Sequence, residues 1–259
     1  MKFTAEKSQI VDSLQNAAAV AERRQTIPIL ANLRLKAFSG KLEVTATDLE
    51  IQIKNYSDLL SIEEEGETTV SARKMSELCR SLPDAENVDF LLKDGKLTVS
   101  SKNFHGDFAT ISADDFPELE VNEEQKSTEV LSGVLKRILT KTSFSMASQD
   151  VRYYLNGLLL ELSEGEIKGV ATDGHRLAVS SSKAEGKGLE MRNILPRKAV
   201  LELAKLLPPE DTPIELLVGP TYIGVKTESL NFSSKLIDGK YPDYEKVFPS
   251  GDPLPLMVG

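Results

Sequence analysis

Two stretches of this chain match at one spacing, and that spacing governs the reading of everything else. Ala46-Thr47-Asp48 and Ala171-Thr172-Asp173 stand 125 residues apart. At the same offset Leu33 and Leu35 fall on Leu158 and Leu160, and Leu42 on Ile167. Further on, Arg73 falls on Lys198, Glu77-Leu78 on Glu202-Leu203, Arg80 on Lys205, and Leu82-Pro83 on Leu207-Pro208. Phe116-Pro117-Glu118-Leu119 falls on Tyr241-Pro242-Asp243-Tyr244. Apolar pairs align by accident, but Thr-Asp, Leu-Pro and aromatic-Pro-acid at one unslipped offset indicate two tandem copies of one domain. The copies are expected at residues 1–125 and 126–250, so residues 251–259 stand where a third copy begins and the chain reads as cut.

Each copy carries the same succession of signals. In the first, Ile10, Leu14, Ala17, Ala18 and Ala21 recur at helical spacing; in the second, Leu131, Val134, Leu135, Ile138 and Leu139 do so. Alternating strands follow: Leu33 to Ala37 and Leu42 to Ala46 around Ser39-Gly40, and Leu158 to Leu162 and Ile167 to Ala171 around Glu164-Gly165. A second helix runs from Arg73 to Leu82 and from Arg197 to Leu207, each stopped by proline. Val88-Phe90-Leu92, Asp94-Gly95 and Leu97-Val99 predict a hairpin, because Asp-Gly tolerates the positive φ of a tight turn. The expected class is α+β, with two helices packed on antiparallel sheets in each copy. Glu118 to Lys126 is the expected linker, and Pro249 to Pro253 the exit from the second copy.

Composition bounds the partners. The 259 residues suffice for two cores, and 40% hydrophobic with 27% charged residues is ordinary for a folded chain. No apolar run is long enough to span a bilayer and Met1 to Glu6 lacks a signal-peptide core, which places the chain in the cytoplasm as an expectation. Cys79, the one cysteine, reads as a small buried side chain on a helix. The net charge of −9 argues against gripping nucleic acid by bulk charge. Its distribution is uneven: Lys136, Arg137 and Lys141 lie on one predicted helix, Arg73, Lys74 and Arg80 on another, and Arg192, Arg197, Lys198 and Lys205 on or beside a third. A single charge run is usually a solvated face, with Lys136 and Arg137 projecting away from the packed stripe. Three basic helices in an acidic chain point to a surface that meets a polyanion.

Chemistry is sparse. Two histidines and one cysteine offer no zinc spacing, no carboxylate run forms a calcium loop, and no phosphate-binding Gly-Lys loop or G-x-S-x-G elbow is present. No cofactor, metal or catalytic residue is indicated. Asp173-Gly174-His175-Arg176 admits three readings: a general base oriented by Asp173, a plain turn, or the rim of a binding groove floored by Leu155 and Leu177. The first copy keeps Thr47-Asp48 but has Leu49-Glu50 where the second has Gly174-His175-Arg176. The shared pair therefore serves the fold, and the difference indicates a special role in copy two. In Gln149 to Gly157, Tyr153, Tyr154 and Arg152 suit stacking and phosphate contact, or the packing of aromatics at a strand edge.

Thr26 to Asn32, Ala46 to Glu50, Phe144 to Ala147 leading into Gln149 to Gly157, Ala171 to Ala178, and Tyr241 to Tyr244 together resemble the β sliding clamps of bacterial DNA polymerase III. The resemblance implies a non-catalytic replication processivity factor with three similar domains per subunit. Two subunits close head to tail around duplex DNA, helices inside and sheets outside. It implies DNA contacts, independent of sequence, at Arg24, Arg73, Gln149, Tyr153, Tyr154 and Lys198. It further implies a groove for short linear motifs of the polymerase III catalytic subunit, the clamp loader, other polymerases and repair factors. The groove's second-domain side is formed by Leu155, Thr172, Gly174, His175, Arg176, Leu177, Pro242, Lys246, where the family commonly has Arg, and Val247. Lys74 and the strand from Phe104 to Phe108 fall on the subunit interface. With the third domain missing, the chain as given is expected to be a monomer or to associate irregularly. The alternative is a two-domain adaptor that binds peptides without encircling DNA.

Overall fold

In the computed structural model the described residues are 1–21, 27–83, 86–119, 125–163, 165–184 and 189–248. The chain opens with β1 (Lys2–Glu6) and α1 (Lys7–Val20), then β2 (Asn32–Phe38), β3 (Lys41–Thr47), β4 (Ile51–Asp58), β5 (Ser61–Glu64) and β6 (Gly66–Ser71). It continues through α2 (Ala72–Ser81), β7 (Asn87–Lys93), β8 (Lys96–Ser101) and β9 (Phe104–Ile111). The order then recurs: β10 (Lys126–Leu131), α3 (Ser132–Thr142), β11 (Gly157–Ser163), β12 (Glu166–Thr172), β13 (Leu177–Lys183), β14 (Met191–Pro196), α4 (Arg197–Leu206), β15 (Pro213–Val218), β16 (Tyr222–Lys226) and β17 (Leu230–Lys235). Only β5 lacks a counterpart among the described strands.

The helices form where the apolar spacing predicts them. Ile10, Leu14 and Ala17 of α1 are buried against β3 and β4, and Val134, Leu135, Ile138 and Leu139 of α3 are buried against β12 and β13. Each first helix also packs on the second helix of its half, so every half is a helix pair laid on antiparallel strands. Burying such leucine and isoleucine side chains contributes roughly 1.5–3 kcal/mol apiece. The pairs are tied at equivalent carbonyls: Lys7 Nζ donates to Leu82 O, and Lys136 Nζ donates to Leu207 O at 2.6 Å. Lys136 is thus anchored, not projecting as its helical position suggested; its stem is long enough to reach back to the end of α4. Ser39, Gly40, Asp94 and Gly95 take the positive φ their turns require. Cys79 is buried on α2, and burial pushes its thiol up to about 11.

The repeat slips once. Leu97 and Val99 of β8 face Phe108 and Gly106, whereas Ile223 and Val225 of β16 face Ser234 and Phe232. Matching these pairs sets an offset of 126 over the last hairpin, so the constant 125 read from the sequence is corrected there. The extra residue is taken up in the longer turn between α4 and β15, and the offset is restored before Tyr241. Loops absorb such insertions because their cost grows slowly with length.

The strands form a thirteen-stranded sheet, in the order β10-β15-β16-β17-β4-β3-β2-β6-β9-β8-β7-β1-β5, and a four-stranded sheet, β13-β12-β11-β14. The halves meet where β17 pairs antiparallel with β4, from Leu230↔Asn55 to Ser234↔Ile51. Lys198 Nζ reinforces this junction with an ion pair to Asp48 Oδ2 at 2.5 Å and a bond to Val20 O at 3.4 Å. β6 pairs with β9 only through Thr69↔Ile111 and Val70↔Thr110, while β14 and the segment after β17 share an isolated bridge, Ile194↔Ile237.

Candidate functional site

The second Thr-Asp turn is built from its own polar side chains. Thr172 Oγ1 donates to Arg176 O at 2.7 Å and accepts from Gly174 N at 3.0 Å. Asp173 Oδ1 accepts from His175 N at 2.9 Å and Arg176 N at 3.0 Å, while Oδ2 takes Arg176 Nε at 3.1 Å. The backbone amides of His175 and Arg176 hold the Asp173 carboxyl below its usual range. Gly174 lies at φ +88, which a glycine adopts without strain. The Asp173 carboxylate thus serves the backbone and a guanidinium, the bonding of a turn rather than of a catalytic dyad.

Beneath the turn is an apolar floor. Leu155, Leu159, Val170, Ile194, Tyr241 and Tyr244 are buried together, with Leu177 and Tyr154 packed partly against them. Tyr241 is the anchor: its hydroxyl accepts from Thr172 N at 3.0 Å, and burial pushes that hydroxyl up to about 12. Tyr244 OH donates to Glu161 Oε2 at 2.7 Å, which seats the one-turn helix Tyr244–Val247. Leu155, Thr172, Leu177 and the segment from Tyr241 are therefore brought together; Val247 and Phe248 beyond it are exposed, with the Phe248 ring edge-on to Tyr244 at 6.3 Å. Pro242 is exposed between these anchors, and Lys246 is exposed and turned to Asp243, with Nζ to Oδ2 at 2.8 Å.

Phe144 and Arg152, neither of which the sequence placed in the groove, lie against this turn. Arg176 stacks its guanidinium over the exposed Phe144 ring at 5.8 Å. Arg152 Nη2 bonds Asp150 Oδ2 at 2.8 Å and Asp173 O at 3.3 Å. A β-carbon on Gly174 would stand 3.1 Å from Arg152 Nη1, so the glycine makes room for the arginine. Gly174 was the available signal, but its partner lies 22 positions away and only the fold reveals it.

The residues expected to face DNA are more scattered. Gln149 is exposed with φ +59, and Tyr153 is exposed edge-on to Tyr154 with ring centroids 5.9 Å apart. Arg73 is exposed on α2 and paired with Glu77 at 2.8 Å; it borders a cleft of about 670 Å³ between α1 and α2 that Arg80 also lines. Lys198 is half-buried at the junction and engaged by Asp48. Lys74 is exposed beside Arg73, and Phe104 and Phe108 lie half-buried on β9. Arg24 and residues 249–259 lie outside the described residues. Among the described residues no cluster of His, Cys, Asp or Glu could hold a metal, and no helix is long and apolar enough to cross a membrane.

Comparison with known proteins accounts for this arrangement. Residues 1–120 match the DNA polymerase III beta subunit N-terminal domain, and residues 129–243 match its central domain. The beta sliding clamp of Pseudomonas aeruginosa is 41% identical over 260 residues, an alignment covering 100% of this chain and 71% of that protein. The Escherichia coli K12 clamp is 38% identical over 260 residues with the same coverage. Among solved structures, the P. aeruginosa DNA polymerase III subunit beta superposes with a TM-score of 0.92 at 40% identity, covering 97% of this chain and 69% of the other. The Bacillus subtilis polymerase sliding clamp superposes with a TM-score of 0.90 at 27% identity, covering 97% and 68%. The thirteen- and four-stranded sheets with their helix pairs are thus the DNA-clamp fold, and the chain belongs to the β sliding clamp family, the non-catalytic processivity factors of DNA polymerase III.

Proposed function

We propose that this chain forms two clamp domains, residues 1–125 and 126–250, of a cytoplasmic ring that encircles duplex DNA and carries partner proteins along it. The ring is a head-to-tail homodimer once each subunit has its third domain. Arg24, Arg73, Gln149, Tyr153, Tyr154 and Lys198 face the duplex, and Lys74 with Phe104 and Phe108 faces the neighbouring subunit. Loose phosphate contacts in an acidic protein suit holding by topology, since few neutralised phosphates leave the ring free to slide.

The observation on which the docking role rests is the buried apolar cluster under the second Thr-Asp turn, with Phe144, His175, Arg176 and Val247 exposed on the segments that carry it. Concave apolar surface with a few oriented polar groups is what a short linear motif requires. Leu155, Thr172, Gly174, His175, Arg176, Leu177, Pro242, Lys246 and Val247 form its second-domain side. The partners are the polymerase III catalytic subunit, the clamp loader, other polymerases and repair factors.

The test has two parts. A three-domain form of the protein loaded on nicked circular DNA is expected to stay through gel filtration and to be lost once the DNA is linearised. Equal loss from circles and linear DNA would refute encirclement. A labelled peptide carrying an apolar partner motif is expected to bind the parent protein and to lose affinity on His175→Ala. Retained affinity would refute the groove.

A further inference from the structure

The segment from Gln149 to Asn156 joins two of the surfaces described above. Gln149 and Tyr153 are exposed on it, and Leu155 is buried in the apolar floor beneath the second Thr-Asp turn. Its regular structure is limited to the one-turn helix Tyr153–Leu155. One side chain closes it into a ring. Asn156 Oδ1 accepts from Asp150 N at 2.9 Å, and Asn156 Nδ2 donates to Asp150 O at 2.8 Å. Among side chains of this size only a carboxamide offers an acceptor and a donor on separate atoms; a carboxylate would set one acceptor against another at Asp150 O.

The base of this clamp is fixed. Asn156 O accepts from Arg197 N at 3.0 Å, Asn156 N donates to Tyr153 O at 3.0 Å, and a β-carbon on the following Gly157 would stand 2.4 Å from Leu195 O, so β11 starts in close contact with β14. At the held end Gln149 keeps φ +59, a left-handed backbone that a residue other than glycine retains only where its surroundings hold it. From Asp150 the bonding continues to the groove. Asp150 Oδ1 accepts from Arg152 N at 2.8 Å and Arg152 Nε at 3.0 Å, Asp150 Oδ2 accepts from Arg152 Nη2 at 2.8 Å, and the same Nη2 reaches Asp173 O at 3.3 Å. One chain of hydrogen bonds thus runs from the start of α4 through Asn156, Asp150 and Arg152 to the Asp173 turn.

We propose that Asn156 is a positioning residue for partner docking: by holding Asp150 it aims the Arg152 guanidinium at Asp173 O and so fixes the turn from Thr172 to Arg176 beside Leu155 and Leu177. The inference rests on the docking role proposed for that groove, and it adds that a side chain outside both the floor and the turn sets their geometry. Asn156 acts before any partner arrives, because a turn already held in place spares the peptide the cost of ordering it.

Asn156→Asp preserves size and removes the donor, so it separates hydrogen bonding from packing. Amide hydrogen exchange by NMR is expected to show the Asp150 amide about tenfold faster in this variant, with the amides of β11 at the parent's rates. Should the aspartate variant fail to fold, Asn156→Ser, too short to reach Asp150, is expected to give the same local loss. The labelled motif peptide is expected to bind Asn156→Asp about fivefold more weakly and Arg152→Ala by the same factor, and the double variant no more weakly than either, since both break one chain of bonds. Unchanged exchange at Asp150 overturns the proposal, and so does an additive loss in the double variant. A parent that binds no peptide would instead overturn the groove, while the exchange rates still decide whether Asn156 holds Asp150.

Discussion

The two Thr-Asp turns use the same bonds and do different work. In the first, Thr47 Oγ1 donates to Ile51 O at 2.8 Å, Leu49 N donates to Thr47 Oγ1 at 3.0 Å, and Asp48 Oδ1 accepts from Glu50 N and Ile51 N at 2.9 and 2.7 Å. The second repeats each of these bonds 125 residues later. Both turns sit near a buried aromatic, Phe116 beside Leu49 and Tyr241 beside Leu177. They part at the second carboxylate oxygen. Asp48 Oδ2 takes Lys198 from the other half and is buried at the junction, whereas Asp173 Oδ2 takes its own neighbour Arg176 and stays at the surface. One turn has become a hinge pin between halves and the other the rim of a groove. A local motif therefore specifies a conformation, and its surroundings decide what that conformation is used for.

The comparison breaks most sharply at the carboxylates. Asp48→Ala removes two amide bonds and the ion pair to Lys198 at the junction, so it is expected to cost about 3 kcal/mol in urea unfolding. Asp173→Ala, at the surface, should cost clearly less; equal losses would show that burial at the junction is immaterial. Next in size is partner affinity. His175→Ala and Arg176→Ala are each expected to weaken a bound motif peptide about tenfold by fluorescence anisotropy, while Glu50→Ala in the first turn changes nothing.

A smaller contrast lies at the third position. Leu49 holds φ +75 without being glycine, and its side chain packs with Ile29, Leu30 and Phe116. Gly174→Ala is expected to cost about 1 kcal/mol from its backbone alone and to push Arg152 aside. Leu49→Gly relieves comparable strain but loses roughly 2 kcal/mol of burial, so it should also destabilise in the same denaturation assay. The smallest effect is a titration. The hydrogen bonds from Arg152 hold the Asp150 carboxyl down at about 2. A carboxyl lowered on folding contributes stability above its unfolded value, and that contribution is lost as pH falls through about 2. Carboxyl chemical shifts should show this midpoint, rising toward about 3.9 in Arg152→Ala.

Much of the fold is legible in the residues. The offset, the stripe from Val134 to Leu139, Asp94-Gly95 and the prolines after each second helix are local or periodic signals, and the elements lie within a residue or two of where these place them. The constant offset failed over the last hairpin because one inserted residue leaves pairing unchanged and alters only a loop. The anchoring of Lys136 at Leu207 O and of Lys198 at Asp48 was not legible, since both depend on groups 71 and 150 positions away.

The sequence by itself determined the repeat and the alternation of strands and helices, which are periodic patterns in the residues, and the conformation of both Thr-Asp turns, whose bonds join residues at most four apart. Only the tertiary structure decided that β17 lies on β4, that Asp48 pins the halves together, and that Arg152 covers Gly174 beside Leu155 and Leu177. These depend on which distant surfaces meet, and burial and pairing across a whole domain settle that.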